Sequence, residues 1–157
     1  MLSRVSGAER KAGMARIRRN SRQSASAATA GLPGADPTAV RLCYAAVDNG
    51  GVAVLDPAKV AGKIVLCDRG VTARVNKSLA VAQAGGVGVV LANTSANSLN
   101  GDFHSVPTVH IKNTDRAAVK AYAATAGATA QIFPSYFEPV PAPYTASFSS
   151  RGPLLAS

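Results

Sequence analysis

Apolar residues form two short blocks, 64–67 and 87–92, and between them they recur at helical spacing. Gly62 and Lys63 lead into the first block, Ile-Val-Leu-Cys. Asp68, Arg69 and Gly70 close it as a charged turn ending in the residue that most easily takes positive φ. From Thr72 onward Val75, Leu79 and Ala82 share one helical face, Arg74, Asn76, Lys77 and Gln83 fill other positions, and Gly85 with Gly86 supplies a stop. Two nearly all-apolar strands joined through a helix predict a parallel βαβ unit, because parallel strands are buried on both faces and need a crossover. The expected fold class is therefore α/β, or mixed α+β. On this reading Gly70→Val destabilises the fold through backbone strain.

The remaining pattern fills in a single domain. Residues 24–37 are an aperiodic Ala, Ser, Gly and Pro stretch that reads as a linker, with the folded region beginning near Val40. The apolar pieces 42–47 and 51–55, broken by Asp48, Asn49, Gly50 and Gly51, predict a hairpin. Residues 93–104 read as a surface loop held by Leu99 and Phe103, and 106–111 as a strand. Asn113, Thr114 and Asp115 are N-cap candidates for a helix through Tyr122, and 128–133 is the expected closing strand. Pro134, Pro139, Pro141 and Pro143 make an extended exit, after which 144–149 reads as an edge strand. The expected division is a basic tail and linker over 1–38, a domain over 39–134 and an exit segment over 135–157.

Composition narrows the function classes. A chain of 157 residues with 47% apolar and 16% charged residues is globular and of single-domain size. Of its formal +9 charge, +6 lies in the first 22 residues, where seven cations face only Glu9. The folded part is nearly balanced, so no nucleic-acid partner is expected. The tail has no continuous apolar segment of a secretory signal. It reads as disordered; a transit-peptide-like segment, a contact for an acidic surface and non-native sequence are the other readings. No apolar run is long enough for a transmembrane helix. Cys43 and Cys67 leave two alternatives, a bridge worth about 3 kcal/mol in chain entropy or a pair of buried thiols.

The strings GKIVLCDRG and AGGVGVVLAN, with Cys43 and the Leu-Asp-Pro turn at 55–57 upstream and His104 and Pro107 downstream, resemble the protease-associated (PA) domain inserted in subtilisin-like serine peptidases. A second marker follows: Phe148, Ser149, Ser150, Arg151, Gly152 and Pro153 are similar to the segment with which subtilase chains return to the peptidase domain. The resemblance implies a small mixed sheet with flanking helices, a secreted parent and often a cysteine pair such as Cys43 and Cys67. Its partners would be the peptidase domain, or the peptide and protein substrates, of that parent. Gly62, Lys63, Asp68, Arg69, Gly70, Lys77, Gly85, Gly86, His104 and Pro107 are the family-motif residues, all expected to be structural.

Catalysis by this chain is not expected. Subtilisin-type hydrolysis needs a Ser nucleophile, a His base, an Asp and an oxyanion donor. The Gly-His-Gly-Thr-His and Gly-Thr-Ser-Met strings that carry the family's base and nucleophile are missing. His104 reads as a turn residue bonded to backbone, and His110 as solvent-facing or capped by a neighbour, with neither in a metal site. Lys77 is expected to cover the helix face with its stem. Gly85, Gly86 and Gly88 follow a helix, where the dipole repels phosphate, so no nucleotide cofactor is implied. The leading reading is a non-catalytic PA domain of a subtilisin-like peptidase. A stand-alone PA-like interaction or sorting module is the alternative.

Overall fold

The computed structural model describes residues 22–99 and 101–133. Its centre is a five-stranded mixed sheet in the order β4-β3-β2-β1-β5. Strand β2 (Ile64–Asp68) is buried along its whole length. It pairs in parallel with β3 (Gly88–Ala92), Ile64 opposite Gly88 and Asp68 opposite Ala92. Helix Arg74–Gln83 joins these two strands, which makes the parallel βαβ unit. Strand β4 (Thr108–Ile111) extends the sheet beyond β3, also in parallel. A second long helix, Asn113–Ala123, leads to the two-residue strand β5 (Thr129–Ala130), which is antiparallel to β1.

Strand β1 (Arg22–Ser26) corrects the expectation of an unstructured linker. Its sequence RQSAS has no hydrophobic period, yet it pairs with β2 on one side and β5 on the other. Small Ala and Ser side chains suit such an inner position, where backbone hydrogen bonds rather than large apolar groups define the strand. Two short helices follow, α1 (Pro37–Arg41) and α2 (Pro57–Val60). Each starts with Pro at an N-terminal position, where its missing N–H costs nothing. Each is capped by an aspartate: Asp36 accepts from the Ala39 N–H and Asp56 from the Ala58 N–H. The long helices Arg74–Gln83 and Asn113–Ala123 are thus α3 and α4. The hairpin expected over 42–55 is replaced by a 3-10 turn at Ala46–Asp48, and Leu55 makes only a single bridge to Gly31.

Three further expectations change. First, α3 is rotated relative to the predicted face: Lys77, Ser78, Ala80 and Val81 are buried, while Val75 is exposed. Second, α4 starts after Lys112 without a side-chain cap. Third, Leu99 and Phe103 anchor nothing, since both are exposed. The exit and edge strand expected beyond residue 133, together with Phe148, Ser149, Ser150, Arg151, Gly152 and Pro153, lie outside the described residues, as does the tail before residue 22.

Glycine roles divide in two. Gly85 ends α3 in the left-handed region at φ +78°, and the Gly86 N–H reaches back to the Val81 carbonyl at 2.8 Å. Gly70 is not in that region. A Cβ there would stand 2.6 Å from Leu42 Cδ2, so a valine at position 70 destabilises by overpacking against a buried leucine, not by backbone strain. The core gathers Val40, Val54, Leu55, Val60, Val65, Val81, Val89 and Leu91 around a Cys43–Cys67 disulfide with Cα atoms 5.7 Å apart. Of the two alternatives left by the sequence, the bridge is the one present. Cys43 reaches it from a left-handed φ of +49° just after α1, not from a strand.

Candidate functional site

Two polar clusters sit against the βαβ unit. The first lies at the C-terminal end of β2, where Asp68 is 1% exposed. Three cations converge on its carboxylate. Arg116 of α4 donates from Nε to Oδ1 and from Nη2 to Oδ2, at 2.8 and 2.6 Å. Arg41 of α1 and Lys120 of α4 add bonds to Oδ2 at 2.8 and 3.0 Å. Burial alone would raise the carboxyl pKa, but the hydrogen bonds from Arg116, Arg41 and Lys120 outweigh it and hold the group well below the usual carboxylate range. One buried anion thereby ties α1 and α4 to the sheet.

Lys77 is a second buried charge and corrects the picture of a solvent-covering stem. It is 0% exposed; its ammonium donates to the Leu42 carbonyl at 2.6 Å and to Thr72 Oγ1 at 2.9 Å, and stands 5.6 Å from the centre of the Tyr44 ring. Burial lowers its pKa to about 8, with Asp48 and Asp68 opposing the shift. Next to Asp68, the Arg69 backbone N–H bonds the Ala92 carbonyl. Its guanidinium bonds Asn93 Oδ1 and the Ser98 carbonyl, which pins the loop after β3. The other motif residues act through backbone. Gly62 has φ +72°, Lys63 accepts from the Val87 N–H at 2.9 Å, and the Pro107 carbonyl accepts from the Val89 N–H at 2.9 Å.

The second cluster was not legible in the sequence. The loop after β3 carries Asp102, His104 and Ser105 over α3, where Arg74 and Ser78 wait, and β4 adds His110. Arg74 clamps Asp102, with Nη2 on Oδ1 and Nε beside Oδ2, both at 2.8 Å. That Nε–H is not lined up on Oδ2, which is buried and accepts no well-formed hydrogen bond. His104 places Nδ1 3.0 Å from Ser78 Oγ and Nε2 3.0 Å from His110 Nε2. His104 is therefore no backbone-bonded turn residue, and His110 does not face solvent. The two imidazoles meet edge to face with Asp102 Oδ2 3.8 Å from His104 Nε2.

Asp102, His104 and Ser78 have the composition of a hydrolytic triad, and geometry decides against that use. Ser78 is fully buried, and its Oγ donates to the Val75 carbonyl at 2.7 Å. That uses its only proton. The same oxygen accepts from the Ser105 N–H at 3.1 Å, so at 3.0 Å His104 Nδ1 must be the donor. A general base accepts the nucleophile's proton; here the bond runs the other way. The tautomer also leaves His104 Nε2 with a bare lone pair, to which His110 Nε2–H donates. Burial lowers both histidine pKa values; for His110 the neighbouring His104 and Arg74 add to it, and for His104 Arg74 adds while Asp102 opposes. In both rings burial favours the neutral form. The two imidazoles face each other beside a carboxylate: among the described residues Asp102, His104 and His110 offer ligand atoms all within 4.8 Å of one another. The signal was present only as the spacing Asp-x-His followed six residues later by a strand His.

The family model described as PA domain matches residues 24–119. Among curated proteins, the chain is similar to Subtilisin-like proteases of Arabidopsis thaliana, SBT1.3, SBT1.6 and SBT5.3 among them. It is 46% identical to SBT1.3 over 108 residues, which is 66% of this chain and 14% of that protein. The identity to SBT1.6 is 44% over 104 residues, 63% of this chain and 14% of that protein. For SBT5.3 it is 44% over 108 residues, again 66% and 14%. The chain thus spans about a seventh of the length of these relatives.

Proposed function

This chain belongs to the PA domain family, and from that premise we propose that it is a non-catalytic accessory module of a secreted subtilisin-like serine endopeptidase. In that role it shapes substrate access to the peptidase cleft or mediates protein contacts. The observation that carries the reading is the misdirected Ser78–His104 bond. The one Ser, His and Asp grouping of the described residues that could imitate a peptidase site points its protons away from nucleophilic attack. What remains is a rigid scaffold: a disulfide, a buried anion bonded by three cations, and a parallel sheet. The disulfide fits an oxidising, extracellular compartment. No helix of the described residues is long and apolar enough to cross a membrane.

A compact module beside a cleft acts by binding remote parts of a substrate or by excluding bulky ones, which alters selectivity without entering the chemistry. The purified chain is therefore expected to leave fluorogenic peptide substrates uncut. Cleavage that a serine-directed inhibitor abolishes would overturn the assignment.

A further inference from the structure

We infer that Asp102, His104 and His110 form a binding site for one zinc ion, with two imidazoles and one carboxylate as ligands and a fourth position left for water. The inference stands on the side-chain geometry of this chain and is independent of any peptidase context. A tetrahedral zinc with bonds of about 2.0–2.2 Å needs its ligand atoms roughly 3.3 Å apart. His104 Nε2 and His110 Nε2 are 3.0 Å apart, and Asp102 Oδ2 is 3.8 Å from His104 Nε2. All three ligand atoms lie within 4.8 Å of one another, and side-chain rotations that close the widest gap by roughly 1 Å bring them into register.

Three further features suit a metal rather than a plain hydrogen bond. His104 is held from behind by Ser78 through Nδ1–H, which aims the Nε2 lone pair into the cluster, the arrangement that orients metal-bound imidazoles. Asp102 is held by Arg74 in the same way, and its Oδ2 is buried without a well-formed hydrogen bond. His110 Nδ1 is buried and unpartnered. In the metal-free state His110 must keep its proton on Nε2; moving that proton to Nδ1 frees the second Nε2 lone pair with no net proton release. Imidazole donors select zinc over magnesium or calcium, and with both cysteines bridged there is no thiolate to favour softer ions. Arg74 and Arg69 are the positive charges that face the site, and the Asp102 carboxylate offsets the nearer one.

The test is zinc titration of the full chain at pH 7.5, followed by calorimetry and by histidine-ring 1H–15N NMR. The chain has only two histidines, so every ring signal belongs to His104 or His110. One equivalent of zinc is expected to move the Nε2 signals of both rings together, and His110→Ala is expected to weaken binding at least about 10-fold. The NMR readout needs no variant and so survives any folding defect of His110→Ala. Absence of binding at micromolar zinc, ring signals that stay in place, or affinity unchanged in a folded His110→Ala chain would each overturn the site.

Discussion

Asp68→Ala is expected to lower the thermal midpoint by roughly 10–20 °C, the equivalent of about 3 kcal/mol for a domain of this size. The carboxylate is 1% exposed and accepts four hydrogen bonds from Arg41, Arg116 and Lys120. Removing it leaves three cations facing one another with nothing between them. Their side chains are 28–36% exposed and partly rehydrate, which keeps the cost near the lower end for a broken buried pair. Asp68→Asn keeps the shape and removes the charge, so a similar loss in that variant assigns the effect to electrostatics. The pH dependence has the same origin. The folded pKa is depressed, so the contribution is in place above the ordinary carboxylate pKa and is lost as pH falls toward the lower folded value. A midpoint within about 2 °C of wild type in the alanine variant would remove Asp68 from its role as the tie between α1, α4 and the sheet.

Lys77 predicts a slope of the same sign at the alkaline end. In the unfolded chain its amine holds a proton up to about pH 10.4, whereas in the fold the pKa is about 8. Between these values the unfolded state binds more protons, so stability rises with pH, by up to about 3 kcal/mol across the window. Chemical denaturation from pH 7 to 10 is expected to show that rise in the wild type and to lose it in Lys77→Met. Lys77→Ala is expected to cost about 3 kcal/mol at pH 7, because it empties a buried site and strands the Leu42 carbonyl that the ammonium bonds. A wild-type curve as flat as that of the Met variant would show that the amine is not the titrating group.

These two buried charges also explain how far the sequence could be read. The βαβ unit was legible because β2 and β3 are nearly pure apolar runs bounded by glycines and charges. The phase of α3 was not, because its inward face carries Lys77 and Ser78, polar residues satisfied by groups 35 and 26 positions away. Strand β1 was missed for a related reason: its identity lies in backbone pairing with β2 and β5, and RQSAS has no side-chain pattern to betray it. Gly70 shows a correct position with the wrong cause, since only the fold reveals that Leu42 fills the space. The zinc-site geometry depends on a loop folding back over α3, which no local spacing encodes.

The role as an interchangeable accessory module is tested most directly by transplantation. Residues 24–119 of this chain would replace the matching segment of Arabidopsis thaliana Subtilisin-like protease SBT1.3, and peptide hydrolysis by the secreted chimera would be measured. Peptidase activity is expected to survive with altered preference among bulky substrates, and to vanish when the host's own catalytic serine is replaced. A folded, secreted chimera without activity, or one that still cuts after loss of that serine, would contradict it.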